Sequence, residues 1–389
     1  MQDLDFQPIQ SSQRVVIVDV LRGWALLGVV LMNYQDFFFI GTAVPKIGPV
    51  SNVLLYTASI FFAAKSWTLL SFLFGYGFAV LMKNTSEKGV HSVKFFTQRM
   101  FWLLVIAVIN SALFYGDILK DYAVLGLILL LFHRSSAKTA FRLSIGLLII
   151  IPFVAAYVRV LHTGPYIDSL APYYHLYKGH NIINVLWFGL ICTWHAEVIS
   201  LNYAITVHIV MLCCFFLGLA AQKSNFFVDI LINKKHIKRI FWISLIVSVL
   251  LLISAILTSG KKYEGFYAHF STRYLLVLST MLFIASGICW LYIAGKLKHF
   301  FASMQVIGKM TLTNYMAQNL LGLFLFSGFG FGFGLSHKLN LGYYYFFALL
   351  IYVLQIYFSK WWLARYYYGP IEWVWRQLCY GKRLPLKRE

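Results

Sequence analysis

Four groups of ionisable residues fall in strongly apolar surroundings. Each needs a partner or a role, because a charge at the centre of a bilayer-spanning helix costs about 2.5–3.5 kcal/mol on insertion scales. Asp19 and Arg22 are three residues apart in an apolar run, which puts both on one face of a helix. They read either as a self-neutralising pair near the headgroups, with Arg22 snorkelling, or as a cationic handle for an anionic ligand. Asn33 and Asp36 close the same run, with Asn33 about three turns from Arg22, so one face could be polar throughout. Lys65 has apolar residues on both sides and could snorkel to the outer surface. Asp117 lies in Gly116-Asp117-Ile118-Leu119-Lys120-Asp121-Tyr122-Ala123, a tight turn between two apolar runs. Its carboxylate suits the N-cap of the next helix, or could act as general base or bind a hydroxyl. The fourth group is Trp194-His195-Ala196-Glu197, with His208 further on. His195 and Glu197, at spacing i, i+2, point to different faces of a straight helix and form no dyad there. His195 is still the His near a carboxylate in an apolar setting, so it reads either as a packed side chain or, with Asp117, as a catalytic group.

The elements that must position these groups are membrane helices. The chain has 389 residues, 60% hydrophobic and only 12% charged, against about 25% charged in soluble domains, and its mean hydropathy is +0.73. A soluble enzyme, a disordered regulator and a coiled coil are excluded. Apolar runs near the length that crosses a bilayer predict an all-α polytopic membrane protein with about ten transmembrane helices: 15–38, 55–82, 100–115, 118–132, 143–161, 203–221, 240–258, 273–294, 312–331 and 343–362. A cytoplasmic leader (1–14) precedes a single-domain bundle (15–362), and a cytoplasmic tail (363–389) follows. No cleavable signal peptide is expected. The segment 42–54, with Pro45 and Pro49, reads as an irregular outer loop, and 184–200 as interfacial, re-entrant or an extension of the sixth span.

The net charge of +20 would suggest nucleic acid in a soluble chain. Here it reads as topogenic charge and contact with anionic membrane lipid, with no nucleic-acid motif to compete. On the ten-span reading 23 of the 33 Lys and Arg fall on one side and 8 on the other, which places both termini in the cytoplasm. Cys192, Cys213, Cys214, Cys289 and Cys379 lack zinc-type spacing and read as packed thiols. The remaining His residues are scattered, and no metal site is expected. The stretch Gly328 to Gly334 lacks the Lys-Ser or Lys-Thr of a phosphate loop and reads as a close-packed helix end.

Five strings taken together resemble the YeiB-like family, also called domain of unknown function 418. They are Asp19-Val20-Leu21-Arg22-Gly23-Trp24-Ala25-Leu26-Leu27-Gly28 with Asn33; Lys65 to Gly77; Gly116 to Ala123; Gly308-Lys309-Met310-Thr311-Leu312-Thr313-Asn314-Tyr315; and Gly369-Pro370-Ile371-Glu372-Trp373-Val374-Trp375-Arg376. The resemblance runs from Arg14 to Gly381. It implies a multi-pass protein of the bacterial cytoplasmic (inner) membrane, distantly related to transmembrane acyltransferases, which move an acyl group from a cytoplasmic donor to an acceptor across the membrane. One departure is that relatives commonly carry a His shortly before the Gly-Asp-Ile-Leu turn, where this chain has Asn110.

Three readings follow. In the first, acyl-CoA is a co-substrate, with no cofactor bound. Its phosphates meet the basic loops and Arg22 or Arg376, an extracytoplasmic glycan or lipid acceptor approaches Asp117, and Asn33, Asn314 or Lys65 stabilise the oxyanion. The second is a transporter or lipid-handling protein, and the third a non-catalytic scaffold. In the tail, Glu372 and Arg376 have the i, i+4 spacing of a helical ion pair. The segment 371–379 is expected to be an amphipathic helix on the membrane surface, either an anchor or a lid over a donor site.

Overall fold

The computed structural model describes residues 14–40, 48–89, 91–161, 170–258, 265–329 and 339–388. The leader 1–13, Pro45 and the glycines within 330–334 lie outside them. Among the described residues the chain is helical, with one isolated bridge, Tyr366 to Lys387, that folds the tail back. In chain order the helices are α1 (Val16–Phe39), α2 (Pro49–Phe61), α3 (Lys65–Glu87), α4 (Ser92–Leu113), α5 (Leu119–Leu130), α6 (Ala137–Leu161) and α7 (Ile182–Thr193). They continue with α8 (His208–Lys223), α9 (Lys234–Thr258), α10 (Arg273–Ile293), α11 (Lys298–Lys309), α12 (Thr311–Phe326), α13 (Leu341–Arg365) and α14 (Pro370–Tyr380). Single-turn pieces lie at Tyr174–Lys178 and Phe266–His269.

Eight helical segments among the described residues are long and apolar enough to cross a bilayer: Val16–Phe39, Pro49–Glu87, Ser92–Leu113, Ala137–Arg159, Asn202–Lys223, Lys234–Thr258, Arg273–Ile293 and Leu341–Arg365. α9 shows why water cannot be their solvent. It presents Ile246, Val249, Leu250, Ile253, Ile256 and Leu257 outward, an apolar face that a soluble monomer does not tolerate. The protein is a multi-pass membrane protein. Two of the ten expected spans form shorter helices, α5 with 12 residues and α12 with 16. α5 is short because the turn before it is sunk into the bundle, with Asp117 fully buried.

Other elements differ from the sequence pattern. Pro49 sits in the first turn of α2, where its missing N–H costs nothing, so 49–61 is helical and not irregular. α2 and α3 form one long segment broken at Phe62 to Ala64, where Ala64 takes the left-handed conformation at φ +61°. The segment 184–200 lies in α7 and a π-helical turn at Trp194–Val198, and a second π-helical stretch, Asn202–Val207, leads into α8.

α1 runs through the centre, packed on α3, α11, α12 and α13. Two crossings are close because glycines face backbone. A methyl group on Gly23 or Gly308 would overlap the backbone of Met304 or Asp19 and force α1 and α11 apart, and one on Gly75 or Gly218 would do the same to α3 and α8. Small residues of this kind let membrane helices approach closely where no hydrophobic driving force exists between them. All five cysteines are free and buried.

Candidate functional site

The buried polar groups form three assemblies. For orientation, the tail end of the bundle holds Arg14 and α14, and the far end holds the C-terminus of α1.

The first assembly is an amide ladder along α12. Asn33 Nδ2 donates to Asn319 Oδ1 (2.8 Å), Asn319 Nδ2 to Asn110 Oδ1 (3.2 Å), and Asn110 Nδ2 to Asp117 Oδ1 (2.8 Å). Tyr315 Oη also donates to Asp117 Oδ1, at 3.1 Å. Further toward the tail, Gln318 Nε2 donates to Gln355 Oε1 (2.8 Å), Gln355 Nε2 to the Asn314 carbonyl (2.9 Å), and Asn314 Nδ2 to Ser359 Oγ (3.0 Å). Such side-chain bonds hold membrane helices together at roughly 1 kcal/mol each. Toward the far end Tyr34, Phe37, Phe326 and Tyr344 pack ring on ring, and Phe114 joins through Phe37.

This ladder corrects several expectations. Ile118, not Asp117, occupies the N-cap position of α5, because the Asp117 carboxylate is drawn to Asn110 and Tyr315. Asn33 and Asn314 are buried and hydrogen-bonded within the bundle, to Asn319 and to Ser359. Asn110 meets the acidic turn as a hydrogen-bond donor.

The second assembly lies beside the start of α5. Asp121 Oδ1 is 3.1 Å from His208 Nε2, and Asp121 Oδ2 accepts from Tyr203 Oη at 2.6 Å. Lys120 Nζ donates to both Asp121 oxygens at 3.0 Å, pairs with Glu197, and reaches the Asp117 carbonyl at 3.0 Å. Two carboxylates thus share one ammonium and one imidazole. The π-helical turns at 194–198 and 202–207 add residues to the helix and swing Glu197, Tyr203 and His208 to one side. A cavity of about 190 Å³ adjoins the cluster, lined by Ala64, Trp67, Ile118, Tyr203, Arg273 and Tyr274 among others. His195 is not part of it. It packs against Tyr173, tilted by 35° at 5.8 Å between ring centres, and has no hydrogen bond to a carboxylate among the described residues. His208 is the histidine that meets a carboxylate, across 87 residues from Asp121, a contact no local spacing announces.

Lys65 does not snorkel. It is buried, and its Nζ donates to the Ser59 carbonyl at 2.7 Å. Ser66 packs on Gly28, at the midpoint of α1.

The third assembly is cationic and lies at the tail end. Arg22 Nη1 is 3.1 Å from Asp19 Oδ1, and Arg14 is 3.9 Å from Asp19 Oδ2. Burial, with repulsion from Arg22 and Arg376, lowers the Arg14 pKa, and the attraction of Asp19 opposes it. Arg99 feels Arg376 and Arg22 and lies 3.9 Å over the Trp375 ring. Arg14 and Arg22 thus flank the Asp19 carboxylate, and Arg99 and Arg376 add positive charge nearby. The expected Glu372–Arg376 pair does not form. Arg376 stacks on Tyr368 at 4.5 Å, while Glu372 Oε1 accepts from the backbone N–H groups of Leu312 (2.7 Å) and Thr313 (3.0 Å). Glu372 is the N-terminal cap of α12, supplied from α14, and the helix dipole favours a carboxylate there. Burial raises its pKa, and the bonds from Thr313 and Leu312 pull it back down. Trp375 Nε1 also donates to the Arg99 carbonyl at 3.2 Å, so α14 is docked on the bundle through α4 and α12.

Residues 221–382 match the model of a family described as "Protein of unknown function (DUF418)". The chain is 26% identical to "Uncharacterized protein YxaH" of Bacillus subtilis (strain 168), with 98% of each chain aligned. It is 25% identical to "Uncharacterized 39.9 kDa protein in amylase 3'region" of Bacillus acidopullulyticus, covering 98% of this chain and 99% of that one. It is also 25% identical to "Uncharacterized protein YeiB" of Escherichia coli (strain K12), covering 94% of this chain and 96% of the relative.

Proposed function

With these matches assigning the chain to the YeiB-like family, we propose that it is a membrane-bound acyltransferase of the bacterial cytoplasmic membrane. It takes the acyl group of a cytoplasmic acyl-CoA-type donor and passes it to an extracytoplasmic glycan or lipid acceptor. The observation that carries this reading is the His208–Asp121 pair at 3.1 Å, joined to the cavity wall by Tyr203, which bonds Asp121, and by Val207, which precedes His208. Asp121 holds one imidazole nitrogen, which fixes the tautomer and leaves Nδ1 as the base, the division of labour of a carboxylate–histidine pair.

The step balances within these groups. The acceptor hydroxyl or amine gives its proton to His208 Nδ1 as its oxygen or nitrogen bonds to the acyl carbon. The C–S bond breaks, and the leaving thiolate takes that proton from the imidazolium. Asp121 stabilises the transient imidazolium, and Lys120 balances the two carboxylates. With the Lys- and Arg-rich side in the cytoplasm, both termini are cytoplasmic and Arg14, Arg22, Arg99 and Arg376 face the donor's phosphates, which guanidinium groups bind by paired hydrogen bonds. The cluster does not lie at the far surface. It neighbours the start of α3, level with the middle of α1, so each substrate has only part of the bundle to cross.

The test is to purify the full chain, add acyl-CoA and an envelope glycan and lipid pool, and follow thioester loss and acyl incorporation. Acceptor-dependent thioester loss that disappears in His208→Ala is expected. Absence of acyl-CoA binding together with absence of thioester loss removes the reading.

A second reading, transport, is favoured by one observation. Asp117 is fully buried, and its Oδ2 has no hydrogen-bond partner among the described residues, as suits a site that binds and releases a proton or cation. Net flux of an unmodified solute in proteoliposomes, abolished by Asp117→Asn, would decide for it.

A further inference from the structure

An acyl carbon that reacts beside His208 carries a hydrocarbon remainder, and that remainder has to be housed next to the imidazole. The neighbouring cavity has the walls for it. Tyr203, Val207 and Met211, at four-residue spacing, line it from the segment that carries His208. Trp67 lines it from α3, and Ile118 from the turn before α5. Arg273, exposed at the start of α10, lines it too; an arginine in that setting gives its methylene stem to the wall and keeps its charge in water. The walls and the base are tied to one turn. Tyr203 Oη donates to Asp121 Oδ2 at 2.6 Å, and its ring stands edge-on to the His208 imidazole, 5.6 Å between centres at 84°. On the α3 side, the Trp67 carbonyl accepts from the hydroxyl of Tyr122, the residue after Asp121, at 3.2 Å. Tyr203 is thus the partition between the cavity and the imidazole.

We propose that this cavity holds the hydrocarbon part of the donor's acyl group and selects short, straight chains of up to about eight carbons. The size follows from volume. A dry apolar cavity of about 150 Å³ takes one benzene molecule, so about 190 Å³ takes a short chain and not a full-length membrane fatty acid. The class follows from the walls. Aliphatic, thioether and aromatic side chains reward each buried methylene with about fourfold in affinity. A hydroxyl-rich ring pressed on the same walls loses about fivefold or more for each hydroxyl left without a partner. This assignment rests on the acyl-transfer reading for its role, whereas its measurement uses thioesters that lack the nucleotide.

The experiment is photolabelling of the full chain in zwitterionic nanodiscs with a diazirine-bearing hexanoyl thioester of N-acetylcysteamine, the labelled residues being mapped by mass spectrometry. Saturable labelling at Trp67 and within 203–211 is expected. Unlabelled straight-chain thioesters should compete about fourfold better per added methylene, and the gain should stop at about eight carbons, where the cavity is full. Val207→Phe, which fills the cavity, should lower the labelling at least tenfold. No saturable labelling, a competition series that is flat, or labelling unchanged in Val207→Phe overturns the proposal. A gain that continues beyond about ten carbons also overturns it, because the site then takes a lipid tail. If Val207→Phe does not fold, the competition series on the unaltered chain decides alone. The two readings fail separately. Saturable, length-limited labelling with no thioester loss from acyl-CoA keeps the cavity assignment and removes acyl transfer; transfer accompanied by a flat series removes the assignment and keeps acyl transfer.

Discussion

His208 Nε2 lies 3.1 Å from Asp121 Oδ1, although 87 residues separate them in the chain. The contact requires the π-helical turns before α8 and the sunken start of α5 together, and it is the one imidazole–carboxylate contact among the described residues. His208→Ala is therefore expected to lower acyl transfer by about 10²–10⁴-fold, the usual worth of a positioned general base, with little change in the affinity for acyl-CoA. Single-turnover thioester assays alongside donor titrations check both parts.

Asp117 separates the two readings of the protein. It sits inside the amide ladder and away from the cavity wall, so Asp117→Asn, which keeps the shape and the bond from Tyr315, should leave acyl transfer within a few-fold of wild type. Asp117→Ala strands Asn110 and Tyr315 without their acceptor and should cost about 1–3 kcal/mol, read as a lower melting temperature in detergent. Abolished transfer in Asp117→Asn would return Asp117 to the role of base.

On the acyl-transfer reading the four arginines at the tail end bind the donor. Arg22→Gln and Arg376→Gln are expected to raise KM for acyl-CoA about tenfold each, with kcat nearly unchanged, since they hold phosphates remote from the reacting carbon. An equal fall in kcat at saturating donor would place them at the chemistry instead.

How much of this was legible in the sequence follows from which interactions are local. The apolar runs and sparse charge predicted a helical membrane protein, and the Asp19–Arg22 pair at i, i+3 forms as spaced. The YeiB-like resemblance agrees with the family-model match over residues 221–382 and with the relatives found. What failed was non-local. Glu372 and Arg376 have the spacing of an ion pair, yet the free N–H groups at the start of α12 offer Glu372 a better partner. His195 is close in sequence to an acidic residue, whereas His208 is close in space. No pattern with a helical period registers a π-helical turn, because its extra residues shift every later side chain around the axis. In the sequence Asn110 stands out only as a residue where relatives carry His; its hydrogen bond to Asp117 depends on α4 and the following turn folding together.

The α1–α11 crossing gives a stability test. Gly308→Ala forces a methyl group onto the Asp19 carbonyl and should destabilise the protein by about 1–3 kcal/mol, while also displacing the start of α1, which carries Asp19 and Arg22. Thermal unfolding and acyl-CoA affinity, measured on the same preparation, should fall together.

Glu372→Ala removes the cap of α12 and should cost about 1–2 kcal/mol. It should also release α14, so that limited proteolysis cuts near Tyr366–Gly369 faster than in wild type. Glu372→Gln keeps the acceptor oxygen and should protect the tail substantially.

α12 is gripped at its first turn by a carboxylate from the tail and farther along by the turn that precedes Lys120 and Asp121, through Tyr315, and by α4, through Asn319. A rigid rod clamped at two points cannot slide or roll at one without disturbing the other. Loosening of the tail cap would therefore be felt, along one helix, at the turn that leads into Lys120 and Asp121.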